Sequence, residues 1–252
     1  MPEGDAIRRT ADRLRPRMVG RRVVAAQPRS LERLNGHTVE SVEATGKHLL
    51  MGFDGGLILH SHMRMTGSWH MKTAGERGRR PSQLVRARLE LDDGAVAVCY
   101  AAPVVELTTT SAWASPVEHL GPDVLAEPLD LDRIIARTRG SEATELGVLL
   151  LDQRVCAGIG NMWRCEVMWE LRLDPWTPVA ALDVPTLRAC YRSAHDLMLA
   201  GLREQPRRSA VHGRGWRPCP RCRAPIAVRA QGDQGRLTYW CPSCQRERAI
   251  PA

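Results

Sequence analysis

Residues 47–63, KHLLMGFDGGLILHSHM, contain two apolar runs on either side of the turn sequence DGG. Short runs of this kind, bounded by Gly and Asp, are typical of neighbouring β-strands joined by a turn. Residues 85–100, VRARLELDDGAVAVCY, repeat the arrangement. We therefore predict an antiparallel β-sandwich from Val23 to about Thr110.

A helix is predicted ahead of the sandwich, beginning directly after Glu3 and Gly4. Apolar residues that recur at intervals of four, three and four define one of its faces: Ile7, Ala11, Leu14 and Met18. Pro16 lacks a backbone N–H and disfavours a helical conformation in the residue before it. We expect the helix to end or kink near Arg15.

The sequence pattern and the composition change after the sandwich. Residues 114–130, ASPVEHLGPDVLAEPLD, form a Pro-containing boundary, and segments with apolar residues three and four apart follow it. From about Gly215 the composition shifts to Cys, Pro, Arg and Gly. We predict an α+β multidomain protein with an N-terminal β-sandwich domain, a helical domain and a small C-terminal module, over residues 1–121, 122–214 and 215–252.

Charge favours a polyanionic partner. The net charge is +8 and the isoelectric point about 9.4, and Lys47 and Lys72 are the only lysines among 36 basic residues. Basic side chains bind phosphates with release of counterions, although membranes and acidic proteins also attract them. The first residues lack the apolar segment of a signal peptide, so we expect a cytoplasmic, nucleoid-associated protein without membrane contact, whose cysteines are thiols or metal ligands.

Four cysteines follow the pattern C-x2-C-x18-C-x2-C: Cys219, Cys222, Cys241 and Cys244. Two such knuckles around a hairpin are typical of a closed tetrahedral site, which predicts one structural Zn²⁺. Free thiols or a redox pair are the alternative.

The segments IAVRA and RLTYW are predicted to be strands around the turn QGDQG. Arginines of the module face either a phosphate backbone or solvent: Arg223, Arg229 and Arg236. The other cysteines lack metal spacing and are expected to pack in cores: Cys99, Cys156, Cys165 and Cys190.

The first residues suggest a nucleophile. If Met1 is removed, Pro2 of the sequence PEGD carries a secondary amine, and an α-amino group loses its proton at a pH roughly 2.5 below that of lysine. The positive end of the following helix favours the neutral amine further. Such an amine can attack C1′ of a deoxyribose to give an iminium, with Glu3 transferring protons. The alternative is an ordinary helix start.

Several segments resemble one family in its own order: PEGD at 2–5, GKHLL at 46–50, SHMRMTGSW at 61–69, LLLDQRVCAGIGNMWRCE at 149–166 and YWCPSCQ at 239–245. Together they are similar to the formamidopyrimidine-DNA glycosylase and endonuclease VIII family, and the first and last motifs are closer to the endonuclease VIII branch. The resemblance implies a β-sandwich, a helix-two-turns-helix domain and a C-terminal zinc finger, with damaged DNA bound in a cleft.

The resemblance also implies roles for individual residues. Pro2 matches the Schiff-base nucleophile, Glu3 the proton-transfer residue, and Lys47 a hairpin lysine that contacts the phosphate beside the lesion and assists elimination. Asn161, at a helix N-terminus, and Arg236, in the finger, match residues that hold phosphates around the flipped nucleotide. A surface lysine, a structural Asn cap and a solvated arginine are the respective alternatives.

A flipped nucleotide leaves a gap in the base stack that a side chain must fill. Met65 is the candidate wedge, Arg64 a candidate contact to the orphaned base or a phosphate, and His62 either a backbone contact or a packed residue. Where relatives carry further wedge residues, residues 100–110 read YAAPVVELTTT, without Arg or Phe. We therefore expect activity on single-stranded or bubble DNA.

The family reaction is base excision by Pro2 followed by β- and δ-elimination, without a nucleotide cofactor or catalytic metal, performed by a monomer. Residues 204–219, EQPRRSAVHGRGWRPC, leave little room for a lesion-capping loop, which favours oxidised pyrimidines. A non-catalytic damaged-DNA-binding protein on the same scaffold, with Met1 retained, is the first alternative. A zinc-ribbon regulator or RNA-binding module is the second.

Overall fold

The computed structural model describes residues 2–73, 75–76, 81–111, 119–138, 145–203 and 209–246. The chain divides into two compact units, Met1–His119 and Leu120–Ala252. The division into three domains predicted from the sequence remains a prediction.

The first unit is the predicted β-sandwich with its leading helix. Helix α1 spans Gly4–Met18, and the strands are β1 (Val23–Gln27), β2 (Val39–Thr45), β3 (His48–Phe53), β4 (Leu57–His62), β5 (Ser68–Thr73), β6 (Val85–Leu91), β7 (Ala95–Tyr100) and β8 (Val104–Thr109). They form two antiparallel sheets with strand orders β1-β6-β7-β5 and β2-β3-β4-β8. Short 3-10 turns lie at Arg29–Leu34, Asp54–Gly56 and Ser82–Leu84.

Alternation along the strands decides which side chains reach the core. On β3, Leu49, Met51 and Phe53 are buried, whereas His48 and Leu50 are only partly covered. Successive strand residues point to opposite faces, so His48 lies on the face of its sheet away from the core. The core also contains the apolar face of α1 as predicted, namely Ile7, Ala11, Leu14 and Met18.

The expected end of α1 near Arg15 is wrong, because the helix continues through Pro16 to Met18. Proline removes one backbone hydrogen bond, but the N–H of Val19 still donates to the carbonyl of Arg15 at 3.0 Å. Met18 is fully buried in the sandwich core. Burial of that side chain stabilises the last turn by about 2 kcal/mol, which offsets much of the cost of the proline.

The second unit contains four helices and a hairpin among its described residues: α2 (Leu131–Thr138), α3 (Leu146–Leu149), α4 (Asn161–Glu170), α5 (Val184–Arg203), β9 (Ala227–Gln231) and β10 (Arg236–Trp240). Val179–Ala181 forms a 3-10 turn. Trp163, Val167, Tyr191 and Met198 share one core. Of the apolar segment 145–153, only α3 is helical.

The four cysteines without metal spacing are buried, as expected: Cys99, Cys156, Cys165 and Cys190. Burial raises the pKa of Cys99 to about 12 and also raises that of Cys156. These thiols are therefore packing groups.

Candidate functional site

Pro2 and Glu3 lie at the positive end of helix α1. Glu3 is the N-cap residue, and its carbonyl accepts hydrogen bonds from the N–H groups of Ala6 at 2.9 Å and Ile7 at 3.1 Å. Pro2 is half-buried, and Glu3 is only 4% exposed. The start of α1 thus combines a half-buried proline, a helix N-terminus and an adjacent carboxyl group removed from water.

Arginine side chains hold α1 on both sheets. Arg13 donates to the carbonyl of Trp69 on β5 at 2.8 Å, and Arg15 donates to the carbonyl of Val42 on β2 at 3.0 Å. A helix bonded to both sheets has a fixed axis. The position of Pro2 is therefore set by the whole sandwich.

Lys47 occupies a tight turn in the same unit. Thr45 pairs with His48, so Gly46 and Lys47 alone connect β2 to β3. Gly46 has φ 56°, a conformation that favours glycine at the first position of a two-residue hairpin turn. The Lys47 side chain is half-buried. The hairpin position expected for this lysine is the one observed.

Three histidines lie next to this turn on the face of the sheet away from the core. His48 Nδ1 and His60 Nε2 are 2.9 Å apart, and His60 Nδ1 is 2.6 Å from Glu106 Oε1. The ring of His62 meets that of His48 edge to face, with centroids 5.0 Å apart. The backbone N–H of Arg64 donates to His62 Nδ1 at 3.2 Å, which leaves the proton of a neutral His62 on Nε2.

The surroundings keep these histidines neutral. Burial, followed by the charges of His60, His62, His119 and Lys47, lowers the pKa of His48 to about 3. Burial also lowers the pKa of His60, against the opposing effect of Glu106, and lowers the pKa of His62. The sequence prediction named His62 and missed His48, His60 and Glu106, although period-two spacing on paired strands was a usable signal.

The loop between β4 and β5 presents a single exposed apolar side chain. Met65 is 72% exposed, whereas Met63 is 3% exposed in the core. The loop is closed by a hydrogen bond from the N–H of Gly67 to the carbonyl of Met63 at 2.8 Å, and a Cβ on Gly67 would lie 2.6 Å from that oxygen. Arg64 adopts φ 42° beside Met65. These contacts place Met65 at the tip of the loop.

In the second unit, Asn161 is the first residue of α4. The N-cap residue is Gly160, so Asn161 does not occupy the capping position that was its alternative. Its Nδ2 donates to the carbonyl of Leu237 on β10 at 2.9 Å, and its Oδ1 accepts from Arg164 Nε at 3.0 Å. Asn161 therefore connects a helix N-terminus to the strand that carries Arg236.

Arg164 is a buried cation that the sequence prediction missed. It is 0% exposed and donates to the carbonyl of Gly147 at 2.7 Å, to Gln231 Oε1 at 3.2 Å and to Thr238 Oγ1 at 2.8 Å. A weaker contact of 3.4 Å reaches the carbonyl of Arg236. Buried arginine is stable only when its donors are satisfied, so this network fixes α3, α4 and the hairpin together.

Arg236 lines an open cavity of about 480 Å³ together with Arg154, Arg164 and Gln234. Its Nε donates to Gln234 Oε1 at 3.3 Å. The other two finger arginines singled out from the sequence are Arg223 and Arg229, and neither lines this cavity. Arg229 is positioned over the ring of Trp176 at 5.1 Å, and Arg223 is exposed with φ 67°.

The four cysteines of the finger converge: their sulfur atoms all lie within 4.8 Å of one another. Cys219 and Cys244 are 3.9 Å apart, and Cys222 and Cys241 are 3.4 Å apart. Tetrahedral thiolates at about 2.3 Å from a metal are roughly 3.8 Å apart, so the arrangement fits a metal ion. The four cysteines can hold one in a closed site.

Two family models match the chain: the formamidopyrimidine-DNA glycosylase N-terminal domain over residues 1–102 and the formamidopyrimidine-DNA glycosylase H2TH domain over residues 120–211. A crystal structure of Lactococcus lactis Fpg (MutM) with N7-benzyl-Fapy-dG DNA matches with a TM-score of 0.84, 21% identity, and coverage of 98% of this chain and 100% of that one. The fold and the site therefore define a DNA glycosylase scaffold.

The relatives refine this class. "Probable endonuclease 8 2" of Streptomyces coelicolor is 38% identical over 97% of this chain and 94% of its own length. "DNA-(apurinic or apyrimidinic site) lyase Nei2" of Mycolicibacterium smegmatis is 32% identical over 97% of this chain and 99% of its own length. The chain belongs to the formamidopyrimidine-DNA glycosylase and endonuclease VIII family of base-excision-repair enzymes, as its motifs predicted.

No helix in the described part of the chain is both long and apolar enough to cross a membrane.

Proposed function

We propose that this protein removes oxidised pyrimidines from DNA and then cuts the strand on both sides of the resulting abasic site. The observation that carries the proposal is the pairing of Pro2 with a buried Glu3 at the start of α1. A proline nitrogen next to a helix N-terminus and a shielded carboxyl group suit amine nucleophilic catalysis with proton transfer.

In the proposed reaction, the neutral amine of Pro2 attacks C1′ of the flipped nucleotide and the bond to the damaged base breaks, with the base leaving in protonated form. Glu3 protonates the sugar ring oxygen, the ring opens and an iminium forms. The Glu3 carboxylate left by that transfer accepts a proton from C2′, which drives β-elimination of the 3′ phosphate. Loss of the C4′ proton to water then drives δ-elimination of the 5′ phosphate. Hydrolysis then releases Pro2.

Phosphate contacts are assigned to Lys47 and His62 in the first unit and to Asn161 and Arg236 in the second. A lysine in a tight turn, an Nε2–H donor of a neutral histidine, an amide at a helix N-terminus and a finger guanidinium all suit phosphate oxygens. Met65 is the proposed wedge because its apolar side chain is exposed at a loop tip. Arg64 would contact the orphaned base or a phosphate beside it.

We infer that the four-cysteine site binds a single structural Zn²⁺. The donor set is all thiolate and closed, which zinc prefers and which leaves no position for water. When bound, the ion supplies a covalent frame for the β9–β10 hairpin and takes no part in the reaction.

Activity on single-stranded or bubble DNA forms part of the proposal. Residues 101–103 alone connect β7 to β8, and Ala102 in this connection is 1% exposed. Such a short connection supports weak contact with the opposite strand. Cleavage rates on matched duplex that equal or exceed those on bubble DNA would contradict this part. A preference for 8-oxoguanine over thymine glycol would contradict the assignment to pyrimidines.

Borohydride trapping tests the proposal as a whole. Reduction of the iminium on DNA with an abasic site or thymine glycol should give a covalent adduct that peptide mapping assigns to Pro2. A variant with one extra residue before Pro2 keeps every side chain but converts the nucleophile to an amide, and it should give no adduct. If intact mass shows that Met1 is removed and no adduct forms, the alternative of a non-catalytic damaged-DNA-binding protein is favoured. Under either function, we propose that the protein acts as a cytoplasmic monomer on nucleoid DNA.

A further inference from the structure

A hydrogen-bonded chain crosses three strands beside Lys47. Glu106 on β8 contacts His60 on β4 at 2.6 Å, and His60 contacts His48 on β3 at 2.9 Å. The rings of His48 and His60 are stacked, with centroids 5.1 Å apart and planes inclined by 25°. The antiparallel register places His60 opposite Glu106.

The contacts determine where the protons lie. The carboxylate form of Glu106 can only accept a hydrogen bond. His60 Nδ1 therefore carries a proton. Its Nε2 then accepts from Nδ1–H of His48 if His60 is neutral, and the burial of His60, which is 5% exposed, favours the neutral ring.

These proton positions leave Nε2 of His48 without a proton. His48 directly follows Lys47, and the charge of that lysine helps to lower the pKa of His48, as do those of His60, His62 and His119. The charge of Arg64 acts in the same way on His62. His48 is thus a neutral ring beside Lys47, with Nε2 as its acceptor nitrogen, and not a second cation.

We propose that Glu106, His60 and His48 form a positioning relay for Lys47. The carboxylate fixes the tautomers of both imidazoles, and the fixed ring of His48 holds the β2–β3 turn, and with it Lys47, in one orientation toward its phosphate. The three residues act through Lys47 and contact no reacting atom. The inference rests on the proposed role of Lys47 in the function above.

The tautomers can be measured without any substrate. Long-range ¹H–¹⁵N spectra of histidine-labelled protein should show Nδ1–H forms for both His48 and His60. Glu106→Gln supplies an amide that can donate as well as accept, so Nε2–H forms should gain population at both rings together. Thr108→Val, on the same strand and the same face, should leave both rings unchanged. Nε2–H forms in the wild-type protein, or a change at His60 that His48 does not share, would overturn the relay.

Activity provides the second measurement. On DNA with an abasic site, Glu106→Gln and His60→Gln should lower the ratio of δ- to β-elimination products about tenfold, because displacement of a catalytic side chain by a fraction of an ångström has effects of that order. The yield of the borohydride-trapped adduct at Pro2 should stay within about twofold of the wild-type yield. Thr108→Val should match wild type in both respects.

Linked tautomers with an unchanged product ratio would overturn the positioning role. Failure of the proposed function is recognised separately: the wild-type chain would then form no adduct at Pro2, while the spectra would still show whether the two rings are linked.

Discussion

At the scale of single residues, burial separates side chains of the same type into different roles. Met63 and Met65 are two positions apart, yet one is 3% and the other 72% exposed. Two acidic residues also differ: Glu3, the N-cap residue of α1, is buried, and Asp12 lies on the exposed side of the helix. The functional roles proposed above fall on the exposed member of the methionine pair and on the buried member of the acidic pair.

Glu3→Gln should reduce excision of thymine glycol by about a hundredfold or more, because the ring oxygen loses its proton donor. Cleavage of a preformed abasic site should fall less, since that sugar already carries an aldehyde. Single-turnover rates on the two substrates test this. Asp12→Asn makes the same acid-to-amide change on the exposed side of α1 and should leave both rates unchanged. Equal losses on both substrates in Glu3→Gln would contradict the assigned role.

Met65→Ala should weaken binding to lesion duplex about tenfold, since a wedge that offsets unstacking is lost, while the free energy of unfolding changes by less than about 0.5 kcal/mol. Met63→Ala should instead lower that free energy by about 2–5 kcal/mol through a core cavity. Fluorescence anisotropy with a tetrahydrofuran lesion and urea unfolding measure the two effects. Unchanged lesion binding by Met65→Ala would exclude it as the wedge.

At the scale of secondary-structure elements, buried polar groups connect segments that are distant in sequence. Arg164 on α4 bonds to Gly147 on α3 and to Gln231 and Thr238 on the hairpin. Gln231 also donates to Glu145 Oε2 and to the carbonyl of Pro175, each at 2.8 Å. The residues proposed to hold phosphates in this unit therefore depend on one shared network.

Arg164→Met should lower the free energy of unfolding of this unit by about 3–5 kcal/mol, because Gln231, Thr238 and the Gly147 carbonyl lose a buried partner. DNA affinity should fall as well, since Asn161 and the Arg236 backbone are bonded to Arg164. Urea unfolding and anisotropy measure both effects. Arg192→Met removes an equal charge from the exposed face of α5 and should be neutral in unfolding; a similarly small effect for Arg164→Met would contradict the network.

The histidine cluster on β3 and β4 predicts a pH dependence of stability. The folded pKa of His48, about 3, is below its unfolded value of about 6.5, so the unfolded chain binds the proton first. The stabilisation is complete above pH 6.5 and is lost as the pH falls through the window toward 3. Between pH 6.5 and 4, the free energy of unfolding of His48→Gln should fall by a few kcal/mol less than that of the wild-type protein. Thr108→Val, on the same face of the sheet but without a titratable group, should retain the wild-type slope.

At the scale of the whole molecule, stability is distributed between a sandwich with its own apolar core and a second unit whose finger has only a small one. The finger core consists of Cys165, Val211, Cys219, Ile226 and Cys241. Such a small cluster needs a metal to hold the hairpin. Metal removal should therefore act on the second unit and spare the first.

Cys241→Ser should abolish stoichiometric zinc, measured by native mass spectrometry, and should lower affinity for lesion DNA by at least about tenfold. Cys190 is equally buried but lies outside the metal site, so Cys190→Ser should retain one zinc per chain. The β-sandwich should still melt cooperatively in both variants. Full affinity in a zinc-free protein would show that the finger does not contribute to binding.

Much of the architecture follows from local sequence patterns. Strand segments, turn residues and the cysteine spacing are set by interactions between residues close in sequence, and the structure contains the predicted sandwich, helices and hairpin. The error at Pro16 had a non-local cause, because burial of Met18 in the sandwich core keeps the last turn helical. Local helix propensity alone does not include the free energy gained by burying Met18.

The sequence by itself determined the family, the β-sandwich followed by helices and a four-cysteine hairpin, and the candidate nucleophile at Pro2. Only the tertiary structure decided the burial of Glu3, the exposure of Met65, the linkage of Glu106, His60 and His48, and the network around Arg164. The physical reason is distance along the chain. Periodicity and spacing report on neighbours, whereas hydrogen bonds between positions tens of residues apart depend on strand register and packing, which exist only once the chain has folded.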